Sequence, residues 1–223
     1  MKIGILFILF GILISNLVTG QNEIIQESNL NKELVLILDS VYQEDQKYRE
    51  EIQETETKYG WNSKEIKNLW KIIAEKDSIN LIKVEKIINE NGWLGSNVIG
   101  EKGNKTLFLV MQHADTKTQI KYLPKFREAV KNGNAKAEHL ALMEDRVLIA
   151  QGKKQIYGSQ LMTDPNTNEI VLFPMIHPEK VNERRKNIGL NSIEEYLENW
   201  DISWDLDKFQ ERMAKYDSKK INN

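Results

Sequence analysis

Residues 107–115 read LFLVMQHAD. Five apolar residues, Leu107 to Met111, run directly into Gln112, His113, Ala114 and Asp115. A stretch this apolar belongs in a core. Its amide, imidazole and carboxylate are then either caps on a buried element or groups that the core delivers to a site. Asp115 is placed to cap the helix that follows, as is Thr116, which stands with Gln119 at capping-box spacing. Gln112 and His113 have no such ordinary duty.

Upstream, Gly92, Gly95, Gly100 and Gly103 lie within one short span, which predicts an irregular loop from Gly92 to Lys105. Its Trp93, Leu94, Val98 and Ile99 predict that the loop packs on the body. From Leu30 to Lys58 the chain has neither Gly nor Pro and reads as one long helix, with Leu34, Leu38, Val41, Tyr48 and Ile52 at helical spacing. The position between Val41 and Tyr48 that should continue this stripe is Asp45. Gln46 follows it, and Arg49 stands at i+4, within reach of an ion pair. KYGW (58–61) ends the helix, and Asn62 with Glu65 forms a candidate capping box for the next. Ile66, Leu69, Trp70 and Ile73 are the apolar face there. Asp77-Ser78 restarts a helix through Leu81, Val84 and Ile88 that stops at Asn91-Gly92.

Downstream, Ile120, Leu123, Phe126 and Val130 form a further apolar stripe. Asn134 then precedes AKAEHLALMEDRVLIAQG, which is apolar nearly all the way round and so reads as a helix buried on most sides. Asp145 lies on its apolar arc with Ala141, Leu148 and Ile149, and Arg146 is its neighbour. The period then changes from helical to two. QIYGSQLMT and EIVLFPMI flank DPNTN, which predicts a β-hairpin. Gln155, Tyr157 and Ser159 fall on one face, with Ile156, Gly158, Gln160 and Met162 on the other. Pro174 marks the second strand as an edge. Three short helices follow: Val181–Ile188, Ser192–Asn199, and Leu206–Tyr216 with Phe209 and Met213 inward. The fold class is mainly α (α+β), a single helical domain over residues 30–216 with one late hairpin and a fraying tail over 217–223.

The chain has 223 residues, 31 Lys and Arg against 33 Asp and Glu, three His and no Cys. Met1-Lys2 followed by IGILFILFGILI and a small-residue end at Gly20 has the pattern of a signal peptide, with cleavage before Gln21 and a secreted or periplasmic product. An uncleaved anchor is the alternative. Residues 21–29 read as a flexible mature N-terminus. A near-balanced charge offers no footprint for nucleic acid. Without Cys there is neither thiol catalysis nor a zinc–thiolate site. His113 and Asp115 make an HxD pair, but His139 and His177 have no ligand spacing with them, and no HExxH or phosphate-binding glycine loop is present. No metal and no cofactor are expected.

Asp45, Gln46, Arg49, Gln112, His113, Asp115, Asp145, Arg146, Gln155, Tyr157 and Gln160 stand where apolar packing was due. Burying each alone would cost roughly 2–7 kcal/mol per unpaired polar group. They are therefore expected to meet, or to line a cleft. The order DQxxR, GW, QHAD, DR, QxYGSQ and NERRxxxGL resembles a bacterial domain family of unknown function, family 6624, over residues 40–197. The family pattern carries Thr where this chain has Ser159. The resemblance implies a shared constellation, to which Gly158 and Arg184 or Arg185 also belong, and it implies no reaction.

His113 is the group best suited to proton transfer near neutral pH, with Asp45 or Asp145 to orient it. Gln46, Arg49, Gln112, Arg146, Gln155, Tyr157 and Gln160 are the candidate ligand-binding groups for a small polar or anionic ligand. Ser159 and Tyr157 are available as nucleophiles, but no GxSxG elbow accompanies them. The competing class is a non-catalytic binding module whose polar network serves packing and recognition.

Overall fold

The computed structural model describes residues 30–164 and 167–221. The expected signal segment and residues 21–29 lie outside them. The described residues are mainly α-helical, with one two-stranded antiparallel hairpin late in the chain. They divide into two compact units, residues 30–136 and 137–221. Among them no helix is long and apolar enough to cross a membrane.

The first unit holds four helices: α1 (Lys32–Tyr59), α2 (Lys64–Asn91), α3 (Ser96–His113) and α4 (Thr116–Lys131). Leu38, Val41 and Asp45 are the buried positions of α1, so the carboxylate does continue the apolar stripe inward. The helix α1 packs on both α2 and α3. Ser63, not Asn62, caps α2, its side chain accepting from the Ile66 N–H at 3.2 Å. The helix α2 also runs unbroken through Asp77-Ser78, where a restart was expected. Both acidic and hydroxyl residues favour caps, but here tertiary packing on α1 carries the helix past them.

The larger correction concerns residues 96–105, which form the first part of α3 rather than an irregular loop; only residues 92–95 stay outside a helix. The glycines have separate duties, Gly92 ending α2 as its C-cap at φ 75°. Gly100, at φ 71°, kinks α3. At Gly103 a Cβ would stand 3.1 Å from Ile99 Cβ and 3.2 Å from Leu38 Cδ1. The absent side chain is what lets α1 and α3 approach. Trp93 packs on the body as expected, stacked on Phe126 with centroids 4.1 Å apart. The inward face of α4 is Gln119, Tyr122, Leu123, Phe126 and Ala129, while Ile120 is exposed and Val130 half-buried.

The second unit begins with α5 (Ala137–Ala150), later than the expected start after Asn134. The hairpin is short: β1 (Leu161–Thr163) pairs with β2 (Ile170–Leu172), Leu161 opposite Leu172 and Thr163 opposite Ile170. A 3₁₀ turn (Pro178–Lys180), α6 (Val181–Lys186), α7 (Ile193–Glu198) and α8 (Leu206–Ile221) complete it. Leu172, Met175, Val181, Ile193, Leu197, Phe209 and Met213 form its apolar core, and α8 continues past the expected fray at Tyr216.

Replacing Gly103 by Val should lower stability despite the gain in helix propensity, because the branched side chain meets Leu38 and Ile99. The expected loss is about 1–3 kcal/mol, measured by urea unfolding. An unchanged midpoint would show that α1 and α3 have room to spare.

Candidate functional site

In the first unit, three helices bring one polar group each, or more, to a common point. Asp45, Gln46 and Arg49 come from α1, Asp77 from the middle of α2, and His113 from the last residue of α3. His113 Nδ1 stands 2.9 Å from Asp45 Oδ1, with side chains 6% and 1% exposed. A carboxylate can only accept, so Nδ1 carries the proton and donates it to Asp45. Gln46 Nε2 donates to the other carboxylate oxygen, Oδ2, at 2.6 Å.

Arg49 does not form the close i,i+4 pair that its spacing allows. Its Nη1 donates to the Asp45 carbonyl at 2.7 Å and stands 3.5 Å from Asp45 Oδ1. Its Nη2 donates to Asp77 Oδ2 at 2.7 Å. Arg49 Nε, Asp77 Oδ1 and Gln112 Oε1 are sealed from solvent without a hydrogen-bond partner. Burial pushes the Asp45 carboxyl up, but the hydrogen bond and charge of His113, with Arg49 and Gln46, outweigh it and hold the group below the ordinary value. Asp45 is therefore an ionised orienting group.

Ligand atoms of Asp45, Asp77 and His113 lie within 4.8 Å of one another, a spacing that suits a bound cation. The guanidinium of Arg49 already bonds Asp77 and faces Asp45, so a cation of the protein's own occupies that role.

Two positioning features were not legible beforehand. The Asp77-Ser78 pattern predicts a helix restart, yet Asp77 sits four residues after Ile73 and seven before Val84, both buried. A polar residue in that register was the available signal. The spacing of Gln119 from Thr116 predicts a capping box. Gln119 is instead buried, and its Nε2 donates to the Gln112 and Ala114 carbonyls at 2.8 and 3.0 Å. It thereby holds the backbone on both sides of His113. Asp115 does cap α4, accepting from the Thr118 N–H at 2.7 Å.

The second unit holds the remaining candidates in a constellation of its own. Residues 155–160 are not a strand: Gln155, Gly158, Ser159 and Gln160 are all buried, so the expected two-residue alternation is absent. They form a loop whose backbone is bonded by side chains. Asp145 accepts from the N–H groups of Ile156, Tyr157 and Ser159 and from the Ser159 hydroxyl, at 2.6–3.1 Å. Gln155 accepts from the Gln160 N–H and donates to the Gln160 and Phe173 carbonyls. Arg184 donates to the Ile156 carbonyl, Arg185 to that of Tyr157, and the Tyr196 hydroxyl to that of Ser159. Gln160 Nε2 donates to the Ser159 hydroxyl.

Gly158 takes φ 69°, where a Cβ would also stand 2.9 Å from Ile193 Cδ1. The backbone conformation favours glycine, and any side chain would also have to displace the end of Ile193. Burial pushes the Asp145 carboxyl above the ordinary value, and its donors from Ile156, Ser159 and Tyr157 offset this only in part. With donors on both oxygens, the ionised form is the one this loop is built around. Lost hydration brings the half-buried Arg146 down to about 10, with Tyr196 opposing.

The family of unknown function DUF6624 matches residues 29–207. The chain belongs to the DUF6624 family. No curated protein and no solved structure matches it. The DUF6624 motifs now separate by what they do. DQxxR and QHAD build the imidazole–carboxylate pair of the first unit, whereas DR, QxYGSQ and NERR build the bonded loop of the second.

Asp45→Ala should destabilise the protein by about 3 kcal/mol, the low end for a broken buried pair, because Arg49 keeps Asp77 as a partner. A depressed carboxyl pKa contributes stability that is present above the unfolded value and lost as pH falls through the folded one. The gap between wild type and variant, measured by urea unfolding, should thus be full at neutral pH and close only below the ordinary value of 3.8. A gap independent of pH would contradict an ionised Asp45.

Proposed function

We propose that the first unit carries an acid–base site, hydrolase-like in chemistry, in which His113 transfers the proton and Asp45 orients it. The proposed substrate is polar or anionic and lies outside the cytoplasm. One observation supports this reading above the rest: Asp45 accepts a hydrogen bond from the Nδ1–H of His113 in a nearly dry setting. That bond fixes the tautomer and leaves Nε2, which makes no hydrogen bond among the described residues, with its lone pair directed away from the pair. An imidazole so held acts as a general base through Nε2, and Asp45 stabilises the imidazolium that forms. Gln46 and Arg49, both against Asp45, and Gln112, the chain neighbour of His113, are the further polar groups in this reading. Asp145 acts in this reading as the anchor of a loop, since its acceptor capacity is spent on that loop. The extracytoplasmic setting rests on the Met1–Gly20 pattern.

The test is hydrolysis of p-nitrophenyl acetate, and of phosphate and glycoside analogues with the same leaving group. His113→Asn should fold with nearly unchanged stability, because its amide can still donate to Asp45. It should lose about 10²–10⁴ of the rate, the range for general-base catalysis. Equal rates in wild type and variant would leave the non-catalytic binding module standing. Calorimetric binding of zinc, abolished by Asp45→Asn and by Asp77→Asn alike, would replace the acid–base reading with a metal one.

The setting is tested separately. N-terminal sequencing of material released from cells should begin at Gln21, and recovery of the intact Met1 end with membranes would overturn export in favour of an anchor.

A further inference from the structure

A buried Arg and an Asp at i,i+4 on one helix are expected to close on each other, because a charge-assisted N–H···O bond settles at roughly 2.7–2.9 Å. In α1 they do not: Arg49 Nη1 stays 3.5 Å from Asp45 Oδ1. The same guanidinium spends Nη2 on Asp77 Oδ2 at 2.7 Å and Nη1 on the Asp45 carbonyl at 2.7 Å. Its Nε is left sealed and unpaired, as is Asp77 Oδ1. This orientation does not satisfy Arg49 best. It is the orientation that a carboxylate on α2 imposes, and it keeps Asp45 Oδ1 within 2.9 Å of His113 Nδ1.

We propose that Asp77 is a positioning residue for the Asp45–His113 pair: it holds Arg49 on α2 and so reserves Asp45 Oδ1 for the imidazole. The inference rests on the acid–base reading only for its purpose; the competition itself is a property of these four side chains. The charged groups that take part are Asp45 and Arg49 from α1, Asp77 from α2, and His113 at the C-terminal end of α3, where the helix dipole favours a donor. Asp115, the next acid along the chain, is engaged with the Thr118 N–H. Without the Asp77 charge, the unpaired Nε and a freed Nη can turn together onto Asp45. A two-bond Arg–carboxylate fork then replaces the imidazole bond.

The readout is the His113 ring by NMR on the full protein, which needs no substrate. In wild type, Nδ1–H hydrogen-bonded to a carboxylate should give a slowly exchanging resonance far downfield, and ¹⁵N shifts should report the Nδ1–H tautomer. Asp77→Asn should abolish that resonance and shift the neutral ring towards the Nε2–H tautomer, with backbone amide shifts elsewhere unchanged. Asp77→Glu, which keeps the charge, should restore it.

Removing the competitor must also restore it. In Arg49→Gln the resonance should persist, and adding Asp77→Asn to that background should change nothing. Asp77→Asn with an intact resonance overturns the proposal, as does loss of the resonance in the double variant relative to Arg49→Gln. If Asp77→Asn alone does not fold, the comparison with Arg49→Gln carries the decision. These signals can fail while hydrolysis by His113 stands, and can succeed where no hydrolysis is found, so the two readings fall separately.

Discussion

The bond between Asp45 and His113 sits where three helices converge, and the neighbouring features follow from the need to keep it. A carboxylate with 1% exposure cannot remain charged without partners. Asp45 has three: the imidazole, the Gln46 amide and, at longer range, Arg49. Each partner then needs its own support. Arg49 leans on Asp77, and the last turn of α3 that carries His113 is held by Gln119 from α4. One buried charge thus enlists all four helices of the first unit. The close approach of α1 to α3 at Gly103 brings Asp45 and His113 within range.

The second unit meets the same constraint with different donors. Asp145 is as deeply buried as Asp45, yet its partners are chiefly backbone N–H groups of one loop. Backbone donors cannot exchange protons usefully at neutral pH, so a carboxylate spent on them is an anchor. An imidazole is a different kind of partner, because the ring that donates through Nδ1 keeps a second nitrogen for another molecule. Two aspartates at apolar positions of helices look alike in sequence. Their partners divide them into a loop anchor and one half of an imidazole–carboxylate pair.

The loop also shows what Arg184, Arg185 and Tyr196 do. They bind carbonyls of residues 156, 157 and 159 while Asp145 binds the N–H groups between them. A segment with no ladder of its own obtains its backbone hydrogen bonds from side chains, which satisfies the requirement that buried N–H and C=O groups be paired. Arg185, 2% exposed, is tolerated there because its charge meets carbonyl oxygens and the Tyr196 ring.

The helical class, the late hairpin, the long first helix and the oddity of Asp45, His113 and Asp145 were legible in the sequence, because each is a departure from or agreement with a local period. Local signals failed where tertiary contact reversed their usual meaning. The glycines of residues 95–103 looked like a loop and proved to serve a kink and a helix crossing. Asp77-Ser78 looked like a cap and proved to be mid-helix. Residues 155–160 alternate like a strand, but Gln155 turns onto the backbone of Gln160 and Ser159 onto the Asp145 carboxylate.

Partnership was the other thing the sequence could not state. Spacing placed Arg49 within reach of Asp45, but whether it closes on that acid or on Asp77 depends on where α2 lies. Periodicity reports which face of an element is buried. Which groups meet there is set by the packing of elements far apart in the chain, and that is decided only in three dimensions.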